Sequence, residues 1–220
     1  MKKFKISVYN WLMVCFTLFC VLSAEASDKE VSWYAHGGVG WGMGWYTSSD
    51  IENELPNDYT IANLSLSGFG LLAHVGYRNL IQIEYDLWST SAHSLMGDVV
   101  DFDDTGIPIR EELDMKYKSS EYLIKINPFY FFSEDKPWYI VFGIGAPEFK
   151  SKKDGQKFSG SSTIFGLEYL RSTKNLSGAY GIKYSKITFD PTEFYSINYS
   201  KDISSNYILL YFTLAAGFGI

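Results

Sequence analysis

Residues 31–46, VSWYAHGGVGWGMGWY, separate into two sets by alternate position. The odd positions are apolar apart from Gly37 and include Trp33, Trp41 and Trp45, whereas the even positions are mainly glycine with His36 among them. Successive side chains of a β-strand point to opposite faces, so this pattern predicts a strand with one bulky apolar face and one small face. Such a strand suits the wall of a closed barrel better than the packed layers of a sandwich, because its small face has little bulk to pack.

The same alternation returns along the rest of the chain. It is found in residues 67–78, 81–88, 117–131, 138–146, 163–169, 176–185 and 207–220. The first, third and last connections are long and polar, the second, fourth and sixth are short, and the fifth, after Pro147, is moderate. An even strand count returns the carboxyl end to the side of the amino end. The pattern therefore predicts an all-β fold, an eight-stranded antiparallel up-and-down transmembrane β-barrel with short turns at one end and long loops at the other.

Charged residues distinguish this barrel from a soluble one. A soluble barrel of the lipocalin type would carry its apolar residues inside. Here the charges fall on the small, inward face, opposite the aromatic one. The predicted luminal charge network consists of Arg78, Glu84, Asp86, Glu121, Lys125, Glu168 and Lys183, with His36 and His74 nearby. Since eight strands enclose an interior just wide enough for side chains, we expect a filled, salt-bridged lumen, with a narrow ion path between the pairs as the alternative.

The amino terminus has the form of a secretory signal peptide. Lys2, Lys3 and Lys5 precede an apolar run of residues 11–22, and Ala24 and Ala26 form an A-x-A cleavage site. We therefore expect residues 1–26 to be removed and residues 27–220 to form the barrel domain. Both cysteines lie within the predicted signal peptide, so the mature chain would have no disulfide or thiol chemistry. Its net charge would be about −8, which argues against a nucleic-acid partner.

Several glycine-aromatic segments resemble a known group of proteins. GVGWGMGW, AHVGYRN and the terminal AAGFGI are similar to strands of the transmembrane domain of outer-membrane protein A and its small eight-stranded relatives. The resemblance implies a monomer in the outer membrane of a Gram-negative bacterium, with both termini periplasmic and no cofactor. It also implies contact with outer-membrane lipids and lipopolysaccharide and with the barrel-insertion machinery. Such barrels usually end in phenylalanine, whereas this chain ends in Ile220 with Phe218 two residues earlier.

Function is expected to lie in the long loops, because loops mounted on a rigid scaffold are the usual carriers of binding. The favoured hypothesis is a structural or surface-interaction (adhesion-type) protein that contacts an extracellular ligand or host surface. The alternatives are a narrow, porin-like ion path and an enzyme that hydrolyses acyl esters of lipid A.

The enzyme hypothesis depends on Ser91 and His93. Both are odd-numbered and share the outward face at the loop end of the third strand, and a nucleophile needs a base within hydrogen-bond reach. Outer-membrane lipid A deacylases have the order His-x-Ser, whereas this chain has Ser-Ala-His and shows no acidic third member in its sequence.

An acidic segment in the predicted loop of residues 92–115 is a weak candidate for a metal site. Its carboxylates are Asp98, Asp101, Asp103 and Asp104, whose oxygens could hold calcium. The segment lacks the twelve-residue spacing and terminal glutamate of an EF-hand, so a solvated acidic loop is the favoured interpretation and no metal is expected.

Overall fold

The computed structural model describes residues 33–47, 64–102, 108–132, 136–151, 157–173, 175–190, 192–194, 197–199 and 203–219. The predicted signal peptide lies outside these residues. The strands are β1 (Trp33–Thr47), β2 (Leu64–Tyr77), β3 (Ile81–Phe102), β4 (Pro108–Ile126), β5 (Trp138–Ser151), β6 (Lys157–Ser172), β7 (Leu176–Phe189), β8 (Thr192–Phe194), β9 (Ile197–Tyr199) and β10 (Ile203–Gly219). Within the described ranges, no helix is long and apolar enough to cross a membrane.

Eight of the strands form a closed antiparallel barrel in the order β1-β10-β7-β6-β5-β4-β3-β2, and β8 and β9 pair separately. The predicted fold class is therefore confirmed. Closure depends on β1, which pairs with β2 on one side and with β10 on the other. Trp41, for example, lies opposite Phe69 on one neighbour and Phe212 on the other. With β1 and β10 joined, this sheet has no unpaired edge strand.

The two faces of the barrel have opposite character, as the alternation predicts. Outward side chains include Val39, Phe69 and Ile144, which are 57%, 64% and 65% exposed, whereas the charged side chains of the inner face are buried. An apolar exterior around a polar interior is the arrangement of a barrel that lies in lipid. Aromatic pairs occupy the outer face near the short turns. They are Trp33 with Tyr77, Trp138 with Tyr169, and Tyr169 stacked on Tyr180.

The inward glycines make room for large side chains from elsewhere in the barrel. An ideal Cβ at Gly70 would lie 2.8 Å from Cδ2 of Trp88, and one at Gly44 would collide with the ring of Tyr207. Glycine is required at these positions because the interior is already filled at close-packed density.

The two ends of the barrel differ. One end, which we call the turn end, carries the connections 78–80, 127–137 and 173–175. The first residues of β1 and the last residues of β10 also lie there. The loop end carries the other connections. Arg78 begins the first turn with a φ of 50°, a left-handed conformation that is uncommon for residues other than glycine.

The prediction of a loop over residues 92–115 is wrong. β3 continues to Phe102 and β4 begins at Pro108, and the two strands pair as far as Phe102 and Pro108 with register shifts near Val99. Within the described residues, the pairing of β2 with β3 ends at Ser91, and residues 92–102, which pair with β4, continue past that point as the projecting part of the β3–β4 hairpin. Backbone hydrogen bonds can pair two strands without an alternating sequence, so the alternation did not predict this part of the hairpin.

Other boundaries also differ from the prediction: β6, β7 and β10 are longer than predicted, and the ends of the fourth and fifth strands lie elsewhere. Pro147 was expected to begin a loop, but β5 continues through it to Ser151. Proline has no N–H to donate, and accordingly the β5–β6 pairing skips from Gly145 to Glu148 while Pro147 stays opposite Ser119 of β4. The fourth strand ends at Ile126 and not near residue 131. Asn127 ends it because its side chain accepts a hydrogen bond from the N–H of Phe129 at 2.9 Å, which starts a turn.

The outward face can be tested with Leu210→Arg. Leu210 is 44% exposed and lies in the middle of β10, opposite Met43 and Ile182. Arginine on the lipid face near the bilayer midplane should reduce the free energy of unfolding in lipid by about 2 to 4 kcal/mol. Ser161→Arg, on the outward face near the loop end of β6, should cost at most about 1 kcal/mol because it lies near the interface. Chemical denaturation in vesicles measures both changes. Equal stability of Leu210→Arg and wild type would contradict the assignment of Leu210 to the lipid-facing side.

Candidate functional site

The first ion cluster in the lumen is centred on Lys125. Its Nζ lies 2.7 Å from Oε1 of Glu84 and donates to both carboxylate oxygens of Glu168 at 2.8 and 2.7 Å. Gln82 donates to Glu84 at 2.8 Å, and the Tyr211 hydroxyl donates to Glu168 at 2.6 Å. All of these side chains are buried. Burial of charge is costly unless each group is paired and hydrogen-bonded, and these contacts meet that condition.

The second ion cluster is centred on Lys183. Its Nζ donates to Oδ2 of Asp86 at 2.9 Å and to Oε2 of Glu121 at 2.6 Å. Trp88 donates from its indole nitrogen to the same oxygen of Asp86 at 3.1 Å. The ammonium also lies 5.0 Å from the ring centres of Trp88 and Tyr211, close enough for cation–π attraction. Tyr211 thus contacts both clusters and links them across the lumen.

Two of the histidines, His36 and His74, form a third cluster nearer the turn end. Nε2 of His74 lies 3.3 Å from Nδ1 of His36, and the Ser177 hydroxyl lies 3.0 Å from Nδ1 of His36 and 3.4 Å from Nε2 of His74. The other ring nitrogen of His74, Nδ1, faces Oε2 of Glu84 at 3.3 Å, an ion-pair distance that is long for a hydrogen bond. Glu84 therefore connects the histidines to the Lys125 cluster.

Aromatic side chains close the lumen on the loop side of the ion clusters. Tyr46 stacks on Phe149 with ring centres 5.0 Å apart, and the ring centres of Tyr117 and Tyr207 are 4.6 Å apart. The Tyr46 hydroxyl donates to Ser205 at 2.7 Å. Some buried hydroxyls have no hydrogen-bond partner within the described residues. They are those of Thr90, Tyr117, Ser119, Ser162 and Tyr207, together with Ser172 at the turn end. Buried polar groups of this kind are the usual sites of internal water, so we expect water between the aromatic layer and the ions.

The structure brings six of the seven predicted luminal charges together in the two ion clusters. The seventh, Arg78, lies in the turn after β2, where its Nη1 donates to the Tyr130 hydroxyl at 3.3 Å and its guanidinium lies over the ring of Tyr77. Sequence reasoning did not single out Ser177, Gln82, Trp88 or Tyr211. The alternation of the sequence places these four residues on the inner face. It does not show which inner residues contact one another, because that depends on the stagger between strands.

The other predicted sites fall at the loop end. Ser91 is half-buried in β3, opposite Lys116 of β4, and the register sets His93 opposite Asp114. Asp101 lies in β3, Asp98 belongs to the same strand, and Asp103 and Asp104 lie outside the described residues. Among the residues that the structure describes, no group of three or more His, Cys, Asp or Glu side chains is arranged to hold a metal.

Removal of a luminal ammonium should be far more damaging than removal of a surface one. Lys183→Met would leave Asp86 and Glu121 buried without their cation, which should destabilise the barrel by about 3 to 5 kcal/mol. Lys157→Met is the matched control. Lys157 pairs with Glu148 at 3.2 Å, but its side chain is 58% exposed, so its loss should cost less than about 1 kcal/mol. Urea denaturation in detergent compares them, and similar costs would show that the luminal pairs do not stabilise the barrel.

Comparison with known proteins gives structural similarity alone. No family model matches the chain, and no curated protein matches it. Neisserial surface protein A is 15% identical, with a TM-score of 0.47 over 84% of this chain and 97% of that one. The outer membrane protein AlkL is 14% identical, with a TM-score of 0.48 over 88% and 94%. The attachment invasion locus protein Ail of Yersinia pestis is 12% identical, with a TM-score of 0.40 over 87% and 100%. The eight-stranded barrel of this chain is established by its own closed strand pairing.

Proposed function

We propose that this chain is an integral protein of a Gram-negative outer membrane and that it acts as a surface-interaction protein through its loop end. The projecting part of the β3–β4 hairpin is the observation that carries this proposal. Residues 92–102 extend β3 beyond its last pair with β2, and at about 3.4 Å per residue they reach roughly 35 Å from that point. A rigid extension of this kind on a fixed scaffold is suited to contact with another surface.

Lysines on the outer wall support an orientation with the loop end outside the cell. Lys116 lies opposite Lys150, and Lys150 lies opposite Lys157, so three lysines form a row across β4, β5 and β6. Like charges directly opposite one another on neighbouring strands are destabilising unless an anion lies between them. Glu148 pairs with Lys157 and neutralises only part of the row. The phosphates of lipopolysaccharide in the outer leaflet would supply the remaining negative charge, and both termini would then be periplasmic.

The contents of the lumen favour a filled barrel over a pore. Lys125 and Lys183 each contact two carboxylates directly, and the aromatic layer with Tyr46 and Tyr117 lies between them and the loop end. A conducting path would have to break several of these buried contacts at once, and each costs free energy to separate. We therefore place the activity on the loop end and keep the porin-like path as the less favoured alternative.

Shortening of the hairpin tests the proposal. Replacement of residues 94–113 by a two-residue Asn-Gly turn should leave the barrel pairs intact, since these residues lie beyond the last β2–β3 pair. We expect normal heat-modifiable migration on a gel together with loss of adhesion of expressing cells to epithelial or abiotic surfaces. The control is removal of residues 192–199, which carry β8 and β9, and this removal shortens a different segment of the loop end. This variant should keep its adhesion. Unchanged adhesion after hairpin replacement would contradict the proposal.

A second candidate function, hydrolysis of lipid A acyl esters, is favoured by one observation. His93 follows Ser91 by two residues along β3, and the register sets Asp114 of β4 opposite His93. An acidic residue therefore occupies the position that faces the predicted base. A nucleophile, a base and an acidic orienting group are the parts that acyl transfer requires. Mass spectrometry of lipid A from expressing cells is the test. Loss of an acyl chain with wild type but not with Ser91→Ala would make the enzyme the primary function, and identical lipid A would exclude this candidate.

A further inference from the structure

The lumen presents a compact set of metal-type donors at the turn end. Nδ1 of His36, Nε2 of His74 and Oγ of Ser177 form a triangle with edges of 3.3, 3.0 and 3.4 Å. Two nitrogen ligands of a tetrahedral zinc ion, each at about 2.05 Å, are separated by about 3.3 Å. The three atoms thus have the spacing of one face of a zinc tetrahedron. We infer that His36, His74 and Ser177 form a binding site for a divalent transition metal, with Zn²⁺ as the best-matched ion.

Glu84 supplies the supporting carboxylate that such sites use. A metal-bound histidine typically directs its other ring nitrogen at a carboxylate, which fixes the tautomer and raises the basicity of the ligand nitrogen. Nδ1 of His74 faces Oε2 of Glu84 at 3.3 Å. A proton on Nδ1, the side that faces this carboxylate, would leave the lone pair on Nε2, the nitrogen that belongs to the triangle. Gln82, which donates to the same oxygen at 2.8 Å, holds Glu84 in place.

The charge of the lumen favours a cation at this site. The buried acidic and basic side chains of the described residues, apart from the histidines, are four carboxyl groups and two lysines. Their formal charge is −2 when all six are ionised and the histidines are neutral. Buried charge is stable only when it is neutralised. A divalent cation beside Glu84 would balance this excess, whereas protonation of one histidine would balance half of it.

The site lies near the turn end of the barrel. Ser177 is the second residue of β7 and follows directly on the turn of residues 173–175, and His36 lies opposite Gly217 near the end of β10. An ion that enters from the turn end would pass the buried ring of Tyr34, which lies 5.2 and 5.9 Å from the rings of His36 and His74, but neither the ion clusters nor the aromatic layer. Two imidazoles, a hydroxyl and one solvent molecule would complete four-coordination, and the solvent position makes the site open to exchange.

Metal binding by the full-length protein, purified from membranes without a polyhistidine tag and stripped with chelator, tests the inference. We expect one Zn²⁺ per chain by titration calorimetry and the intense visible absorption of tetrahedral cobalt when Co²⁺ is the probe. His36→Gln and His74→Gln should each abolish both signals. His93→Gln is the matched control, because the third histidine of the chain lies on β3 opposite Asp114 and outside the cluster. Absence of both signals in wild type, or their persistence in either cluster variant, would refute the site.

Two further variants decide the matter if the histidine variants do not fold. Ser177→Cys should bind Zn²⁺ more tightly and add a sulfur-to-cobalt charge-transfer band, because a thiolate replaces a weak hydroxyl ligand. Glu84→Gln should weaken Zn²⁺ binding by about 10- to 100-fold, the usual effect of loss of a supporting carboxylate. Heat-modifiable migration confirms folding of each variant. A folded Ser177→Cys protein with no charge-transfer band would show that the hydroxyl does not face a metal.

Discussion

The pairing of β1 with β10 is the constraint on which the rest of the molecule depends. It joins the two ends of the sheet and turns the inner face into an enclosed space whose width is fixed by eight strands. Such a space holds side chains but little else, so every large inward residue must be matched by a small one. Trp88 occupies the space beside Gly70, and Tyr207 occupies the space beside Gly44. The glycines of the first strands are thus a consequence of closure.

Closure also explains the arrangement of charge. Water is largely excluded from the interior, so the carboxylates and ammonium groups there must neutralise one another directly. Lys125 and Lys183 each bridge two carboxylates that come from other strands. Lys183 of β7 reaches Asp86 of β3, four strands away, and so ties opposite walls of the barrel together. The histidine cluster shares Glu84 with the first of these bridges. Any cation bound by His36 and His74 would therefore be coupled electrostatically to the pairs that hold the walls.

The two ends of the barrel are specialised differently. The short connections 78–80 and 173–175 and aromatic pairs such as Trp33 with Tyr77 mark the turn end. At the loop end the β3–β4 hairpin continues outward after its neighbours have stopped pairing. The barrel holds the base of this hairpin rigidly, whereas its outer part is stabilised by pairing of its own two strands. This division keeps stability in the wall and leaves the projecting residues available for contact.

The sequence by itself determined the number of barrel strands, the closed antiparallel fold and the facing of the residues in the central part of each strand, because side chains alternate strictly along a strand and lipid demands an apolar outer face. It also determined that Glu84, Asp86, Glu121, Lys125, Glu168 and Lys183 lie inside. It did not reveal that β3 and β4 extend to Phe102 and Pro108, since strands beyond the membrane need no alternating pattern. Nor did it reveal that Ser177 meets His36 and His74, which come from strands far apart in sequence. Only the tertiary structure decided these contacts, because the stagger of eight tilted strands, which no local pattern encodes, sets which inward side chains lie at the same depth.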